Sequence, residues 1–236
     1  MEKKTLLAVS VFLLGGFGTI MPPLAQAQEL VAPSTGALAS RPYQTNQQLN
    51  QLLEEGRKLV DARDFSDAIA FYQQAAILEP KNSRIFSGIG YLQARQGNFP
   101  AAAAAYRQAV ALAPKNAQFQ YALGYSLGKL GDNAGAATAY LRAVQLNHKD
   151  INAFLGLGVV LFRQGKYNDA LRIYQNVVAI TPNNARAYEL RGAIFRQQGH
   201  SKEAIAALNH ARDLYKRQGY MQGVQRAESV LHQLNQ

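Results

Sequence analysis

The chain has 236 residues, a formal net charge of +10, 48% hydrophobic residues and no cysteine. Without thiols there is no disulfide framework, no thiolate nucleophile, no Cys-ligated zinc and no lipoprotein acylation site. A basic balance of this size admits nucleic acid, anionic lipid or acidic protein as partner, so the placement of charge must decide among them.

Residues 1–27 have the make-up of a secretory signal peptide. Lys3 and Lys4 stand at the start, an apolar run follows from Thr5 to Ile20, and Ala25-Gln26-Ala27 comes after Pro22-Pro23. Cleavage after Ala27 leaves Gln28 as the first mature residue and places the protein in an exported compartment such as the periplasm. The alternative is a retained membrane anchor, because residues 5–21 reach roughly 25 Å as a helix, only just enough to span. Gly15, Gly16 and Gly18 weaken that helix. Residues 28–48 contain Pro33, Ser34, Thr35, Gly36, Ser40 and Pro42, show no helical periodicity, and read as a flexible linker.

From residue 49 the chain repeats every 34 residues. Gly56, Gly90, Gly124, Gly158 and Gly192 keep that interval, as do Ala68, Ala102, Ala136, Ala170 and Ala204. Four units place tyrosine four residues past that alanine (Tyr72, Tyr106, Tyr140, Tyr174), and the fifth places Leu208. Pro80, Pro114 and Pro182 close three units, while His148 and Lys216 replace the proline in the others. A fixed period of this length means a stacked array of identical supersecondary units. The units are residues 49–82, 83–116, 117–150, 151–184 and 185–218. Each reads as two amphipathic helices over its residues 1–14 and 17–30, broken by turns such as Gln96-Gly97-Asn98 and Gln164-Gly165-Lys166. The glycine and alanine are expected where two backbones approach closely. One such unit cannot bury its apolar face alone, so neighbours stack into a continuous core.

Residues 219–236 read as one more helix. Met221, Val224, Ala227, Val230, Leu231 and Leu234 form its apolar stripe, with Gln222, Gln225, Arg226 and Glu228 on the wet side. A helix of that kind is what the open end of a stacked array requires as a cap.

The 34-residue period with its small–large–small pattern resembles the tetratricopeptide repeat (TPR) over residues 49–218. The resemblance implies an all-α, right-handed superhelical solenoid of five helix-turn-helix units plus the C-terminal capping helix. It departs at the first-helix tryptophan place, which holds Leu52, Phe86, Gln120, Phe154 and Tyr188.

Catalytic chemistry finds no residues to act on. The four histidines, His148, His200, His210 and His232, have no metal-pair spacing, and no HExxH or P-loop pattern occurs. Gly88-Ile89-Gly90 and Gly156-Leu157-Gly158 fall inside expected first helices, not at a strand-to-helix turn, so they imply no phosphate cradle. No catalytic, cofactor-binding or metal-binding residue is expected, and the chain reads as a non-enzymatic binding protein.

Removing Glu2, Lys3 and Lys4 leaves 23 basic and 14 acidic residues. Residues 49–82 carry four bases and six acids, residues 83–116 four bases and no acid, and residues 185–218 seven bases and three acids. The bases form no compact run, and export argues against nucleic acid.

By resemblance to TPR proteins, the first helices line a concave groove, with repeat positions 2, 5, 9, 12 and 13 facing a ligand. Those places hold Arg84, Tyr91 and Arg95; Tyr121, Tyr125 and Lys129; Asn152, Val159, Phe162 and Arg163; and Arg186 and Arg196. Tyrosine interleaved with arginine is the composition favoured at binding hot spots. The expected partner is a protein or peptide with an acidic or extended segment. The TPR subtype that clamps the C-terminal carboxylate of heat-shock chaperones carries Lys and Asn at positions 5 and 9 of its first unit. Leu53 and Arg57 stand there, so that ligand is not implied.

Five units behind one hydrophobic segment also resemble exported or membrane-anchored TPR proteins of cyanobacterial and thylakoid type, including those that interact with protochlorophyllide oxidoreductase. That narrower resemblance implies a thylakoid setting and a pigment-synthesis or photosystem-assembly partner. A third reading is a structural subunit of an envelope complex that binds through its convex face.

Overall fold

The computed structural model describes residues 35–234 and 236. The expected signal segment, residues 1–27, and residues 28–34 of the expected linker lie outside the described residues. Residues 42–236 form one compact unit, and of residues 1–41 only the start of the first helix is described.

All described elements are helices. Five pairs follow one another: α1 (Thr35–Asp61) with α2 (Phe65–Leu78), α3 (Ser83–Arg95) with α4 (Phe99–Leu112), α5 (Ala117–Lys129) with α6 (Asn133–Leu146), α7 (Ile151–Arg163) with α8 (Tyr167–Ile180), and α9 (Ala185–Gln197) with α10 (Ser201–Arg217). The closing helix is α11 (Met221–Leu234). From α2 to α11 each helix packs on the next, and the first helices α3, α5, α7 and α9 also touch in series. This is an all-α solenoid.

The helix starts follow from local chemistry. Asn98, Asn116, Asp132, Asp150 and Asn184 stand at N-caps, and each side-chain oxygen accepts an N–H two or three residues on. Such a cap is typically worth about 1 kcal/mol. The turn inside each unit needs one left-handed residue. Gly97, Gly131, Gly165 and Gly199 supply it at φ 73 to 82°, whereas the first unit uses Arg63 at φ 63°.

Two sequence expectations change here. Residues 35–48 are helical and not a linker, because α1 begins at Thr35. Gln44 to Gln48 are mostly good helix formers, and Leu49, Leu52 and Leu53 repeat at i, i+3, i+4, so the apolar stripe anchors a helix that extends backward. The repeating first-helix glycine also has a different neighbour from the one expected. A Cβ on Gly90, Gly124 or Gly158 would lie 2.5 to 3.0 Å from the ring of Tyr106, Tyr140 or Tyr174. The glycine therefore makes room for an aromatic ring rather than for a bare backbone.

The same rings explain the glycine pairs. Gly156 would meet Tyr140, a residue of the preceding unit, at 2.5 Å, so Tyr140 is held between Gly124 of its own unit and Gly156 of the next. Gly88 and Tyr72 repeat the arrangement at 3.2 Å. Gln120, polar at a core place, is buried and donates through Nε2 to the Pro114 carbonyl at 3.4 Å.

Candidate partner-binding groove

The first helices bring seven of the expected residues around one cleft of about 400 Å³, Val159 of the fourth unit among them. Tyr121, Tyr125 and Lys129 come from α5, Asn152 and Arg163 from α7, and Arg186 from α9. A second cleft, of about 240 Å³, adjoins it between α3 and α5, where Tyr91, Arg95, Tyr106, Tyr121 and Tyr125 meet over Ala94 and Ala122. Tyr121 and Tyr125 belong to both clefts and so form the wall between them.

That wall is held in place. Tyr121 packs on Tyr140 at 5.8 Å, and Tyr125 meets the Phe99 ring edge-on at 6.1 Å. Lys129 lies over both the Tyr125 and Phe99 rings, at 5.4 and 6.0 Å, which costs it little hydration because it stays exposed. Arg95 sits over Phe65 at 5.3 Å and donates to the Tyr91 hydroxyl at 3.0 Å. Tyr91 and Tyr125 remain 47% and 40% exposed, so each ring keeps a face open to a ligand.

The electrostatics of the larger cleft are one-sided. Lys129, Arg163 and Arg186 line it, and no carboxylate does. Arg163 spends one N–H on the Gly128 carbonyl at 3.2 Å and is otherwise exposed. Arg186 pairs through Nη1 with Glu189 at 2.8 Å, which engages one edge of its guanidinium while the side chain stays about half exposed. Burial, helped by Asp150 and the neighbouring Tyr125, raises the Tyr121 hydroxyl above its ordinary value. Burial, with Tyr121 and Tyr125 nearby, raises Tyr140 too. Both hydroxyls thus stay protonated.

Three expected residues lie elsewhere. Phe162, expected in the groove, packs on Tyr167 at 5.6 Å beside a core of Ala170, Tyr174 and Ile194, because position 12 of this unit turns toward its own second helix. Arg196 donates to Gln233 of α11 at 3.1 Å and so ties the closing helix down. Arg84 lies in the α2–α3 crevice beside Glu79, Lys81 and Asn82, outside both clefts.

The sequence reading missed Glu189. Its carboxylate is only 14% exposed and accepts from Arg186, from Tyr215 at 2.6 Å and from Arg226 at 2.9 Å. It also missed Tyr140, Gly156 and Leu190, which floor the larger cleft. The tyrosine column and the paired glycines were the available signals for the first two.

A larger cavity lies toward the second helices. A cleft of about 840 Å³ between α6 and α8 is walled by Leu141, Leu157, Leu161 and Ile173, and Leu141 is 48% exposed. Size alone does not make it the preferred site, since it carries no comparable excess of one charge: Lys166 and Arg172 share its rim with Asp169, which Arg172 bonds.

Among the described residues no helix is long and apolar enough to cross a membrane, and no three His, Asp or Glu side chains gather as a metal site would need. The tetratricopeptide repeat pattern matches residues 53–117, 87–151 and 149–217, which together cover most of the chain. The chain belongs to the tetratricopeptide repeat family. A TPR repeat-containing protein of Picosynechococcus sp. is 40% identical over 68 residues, 29% of this chain; the match spans only 18% of that relative's length. Among solved structures, MamA is similar with a TM-score of 0.68 and 25% identity, over 70% of this chain and 96% of that one. YrrB, described as a TPR protein with an unusual peptide-binding site, reaches a TM-score of 0.68 at 22% identity, over 83% and 98% of the two chains. At that identity the likeness concerns the fold.

Proposed function

We propose that this TPR protein is a non-enzymatic adaptor or assembly factor that holds an acidic, extended segment of a partner protein in its concave groove. The observation that carries this reading is the larger cleft, which Lys129, Arg163 and Arg186 line beside Tyr121, Tyr125 and Tyr140, with no carboxylate on the lining. An exposed aromatic wall adds the anchors that interface hot spots favour. YrrB's described peptide-binding site is consistent with such use of the fold. The compartment we propose is an exported one, supported by Lys3, Lys4, the apolar run and Ala25-Gln26-Ala27. N-terminal sequencing of protein from the native host tests this: Gln28 first supports export, and an intact Met1 on membrane-embedded protein supports the anchored alternative.

Affinity capture from native soluble and membrane fractions, followed by mass spectrometry, tests the groove. Truncating a true anchor typically costs about 2 kcal/mol or more. The double change Tyr91→Ala and Tyr125→Ala therefore removes the captured partner while helicity and melting persist, because both rings are exposed. The outer-face changes Lys202→Ala and Arg212→Ala keep it. A second reading, binding through the convex side, is favoured by the α6–α8 cleft with its exposed Leu141. Loss of the partner in Leu141→Asp, with capture unchanged in the tyrosine variant, replaces the first reading with the second.

A further inference from the structure

The two clefts differ in chemistry, and one wall joins them. The smaller is floored by Ala94 and Ala122 and ringed by aromatic side chains, and its one cation, Arg95, is already engaged by Tyr91 and Phe65. At about 240 Å³ it takes a single side chain and not a helix, whose diameter is about 10–12 Å. The larger cleft offers Lys129 and Arg163, each with donors to spare, beside the Asn152 amide. An apolar group suits the first cleft and a carboxylate the second.

Their separation follows from the stacking. The small cleft opens between α3 and α5 and the larger between α5 and α7, so they are one first-helix spacing apart. Neighbouring packed helices stand about 8–10 Å apart. An extended peptide rises roughly 3.3 Å per residue, so that step corresponds to about three residues. Resting on the groove reading above, we infer that the groove reads a two-part signature: one apolar or aromatic side chain, and one carboxylate about three residues away along an extended segment. Charge complementarity sets the second half, and the rigid Tyr121–Tyr125 wall sets the spacing.

Fluorescein-labelled Gly/Ser peptides carrying one Phe and one Glu test this, with the two separated by one, three or six residues and written in both orders. Fluorescence anisotropy against the full chain reads the affinity at 50 and 300 mM salt. The three-residue peptide, in one order, should bind at least ten-fold tighter than peptides bearing Phe alone, Glu alone, or the six-residue spacing. Tyr91→Ala should erase the gain from Phe and leave the salt-sensitive gain from Glu. The double change Lys129→Ala and Arg163→Ala should do the reverse, and circular dichroism melting confirms that both variants fold. Binding that ignores the spacing, or losses that do not separate between the two variants, overturns the two-part signature while leaving the groove reading in place. If no peptide of the panel binds at all, both fall.

Discussion

Arg63 shows how much one backbone angle is worth. The turn inside each unit needs a left-handed residue, and four units place glycine there, but the first holds Arg63 at φ 63°. A side chain in that region costs about 1–2 kcal/mol, partly offset because glycine has more freedom to lose on folding. Arg63 is exposed, so little packing is lost on replacing it. Arg63→Gly should therefore stabilise the protein by up to about 1 kcal/mol, seen as a higher urea midpoint. A lower midpoint would mean that the arginine makes an interaction the turn geometry hides. Tyr174 makes a different point. Its ring is fully buried against Gly158, yet its hydroxyl has no partner among the described residues. The ring fills the space that the first-helix glycine leaves open, and Leu208 fills the equivalent space in the fifth unit.

At the scale of elements, α11 is held by more than its apolar stripe. Val224, Ala227 and Leu231 are buried, and Arg226 reaches across to Glu189 of α9 while stacking over Tyr215 and Tyr220. Burial pushes the Glu189 carboxyl up, but hydrogen bonds from Arg226 and Tyr215, together with Arg186, outweigh it and hold the group below its ordinary value of 4.5. A depressed folded value means that the stabilisation is complete above the unfolded value and fades as pH falls through the folded one. The melting advantage of the native chain over Glu189→Gln should thus be full at pH 6–7 and shrink steadily as the pH falls below the ordinary carboxyl value of 4.5. A gap that does not shrink on acidification would show that the cluster acts through packing and not through charge. Because Arg186 belongs both to this cluster and to the larger cleft, the closing helix and the groove share a residue.

Across residues 42–236 each helix meets chiefly its neighbours, so stability is a sum of unit terms and interface terms. Ala136 is fully buried in the central unit, on the second helix. Ala136→Leu should overpack that contact, cost about 1–3 kcal/mol and lower the urea midpoint. An unchanged midpoint would mean that the two helices can separate there without loss. The groove is likewise a property of the array, since neither cleft is completed by one unit alone.

The helix pairs were legible from residue 49 onward because glycine, alanine and tyrosine recur at fixed places whatever lies between them. Periodicity is a local signal, and stacking turns it into a solenoid with little room for alternatives. The basic, tyrosine-bearing character of Tyr91, Tyr121, Tyr125, Lys129 and Arg163 was also readable, since each occupies a register position that the stacking brings to one side. The start of α1 was not, because Pro33, Gly36 and Pro42 suggested a linker while the leucine stripe beyond them supports the helix. The fates of Phe162 and Arg196 were decided only in three dimensions. Whether a position-12 side chain faces a ligand, its own second helix or the closing helix depends on what fills the neighbouring space, and here Tyr167 and Gln233 fill it. Glu189 was invisible for the same reason: its three partners are spread from residue 186 to residue 226, and only packing brings them to one carboxylate. The sequence by itself determined the repeat and hence the scaffold, because both rest on short-range spacing. Tertiary structure alone decided which side chains share a cleft, because that depends on contacts between units.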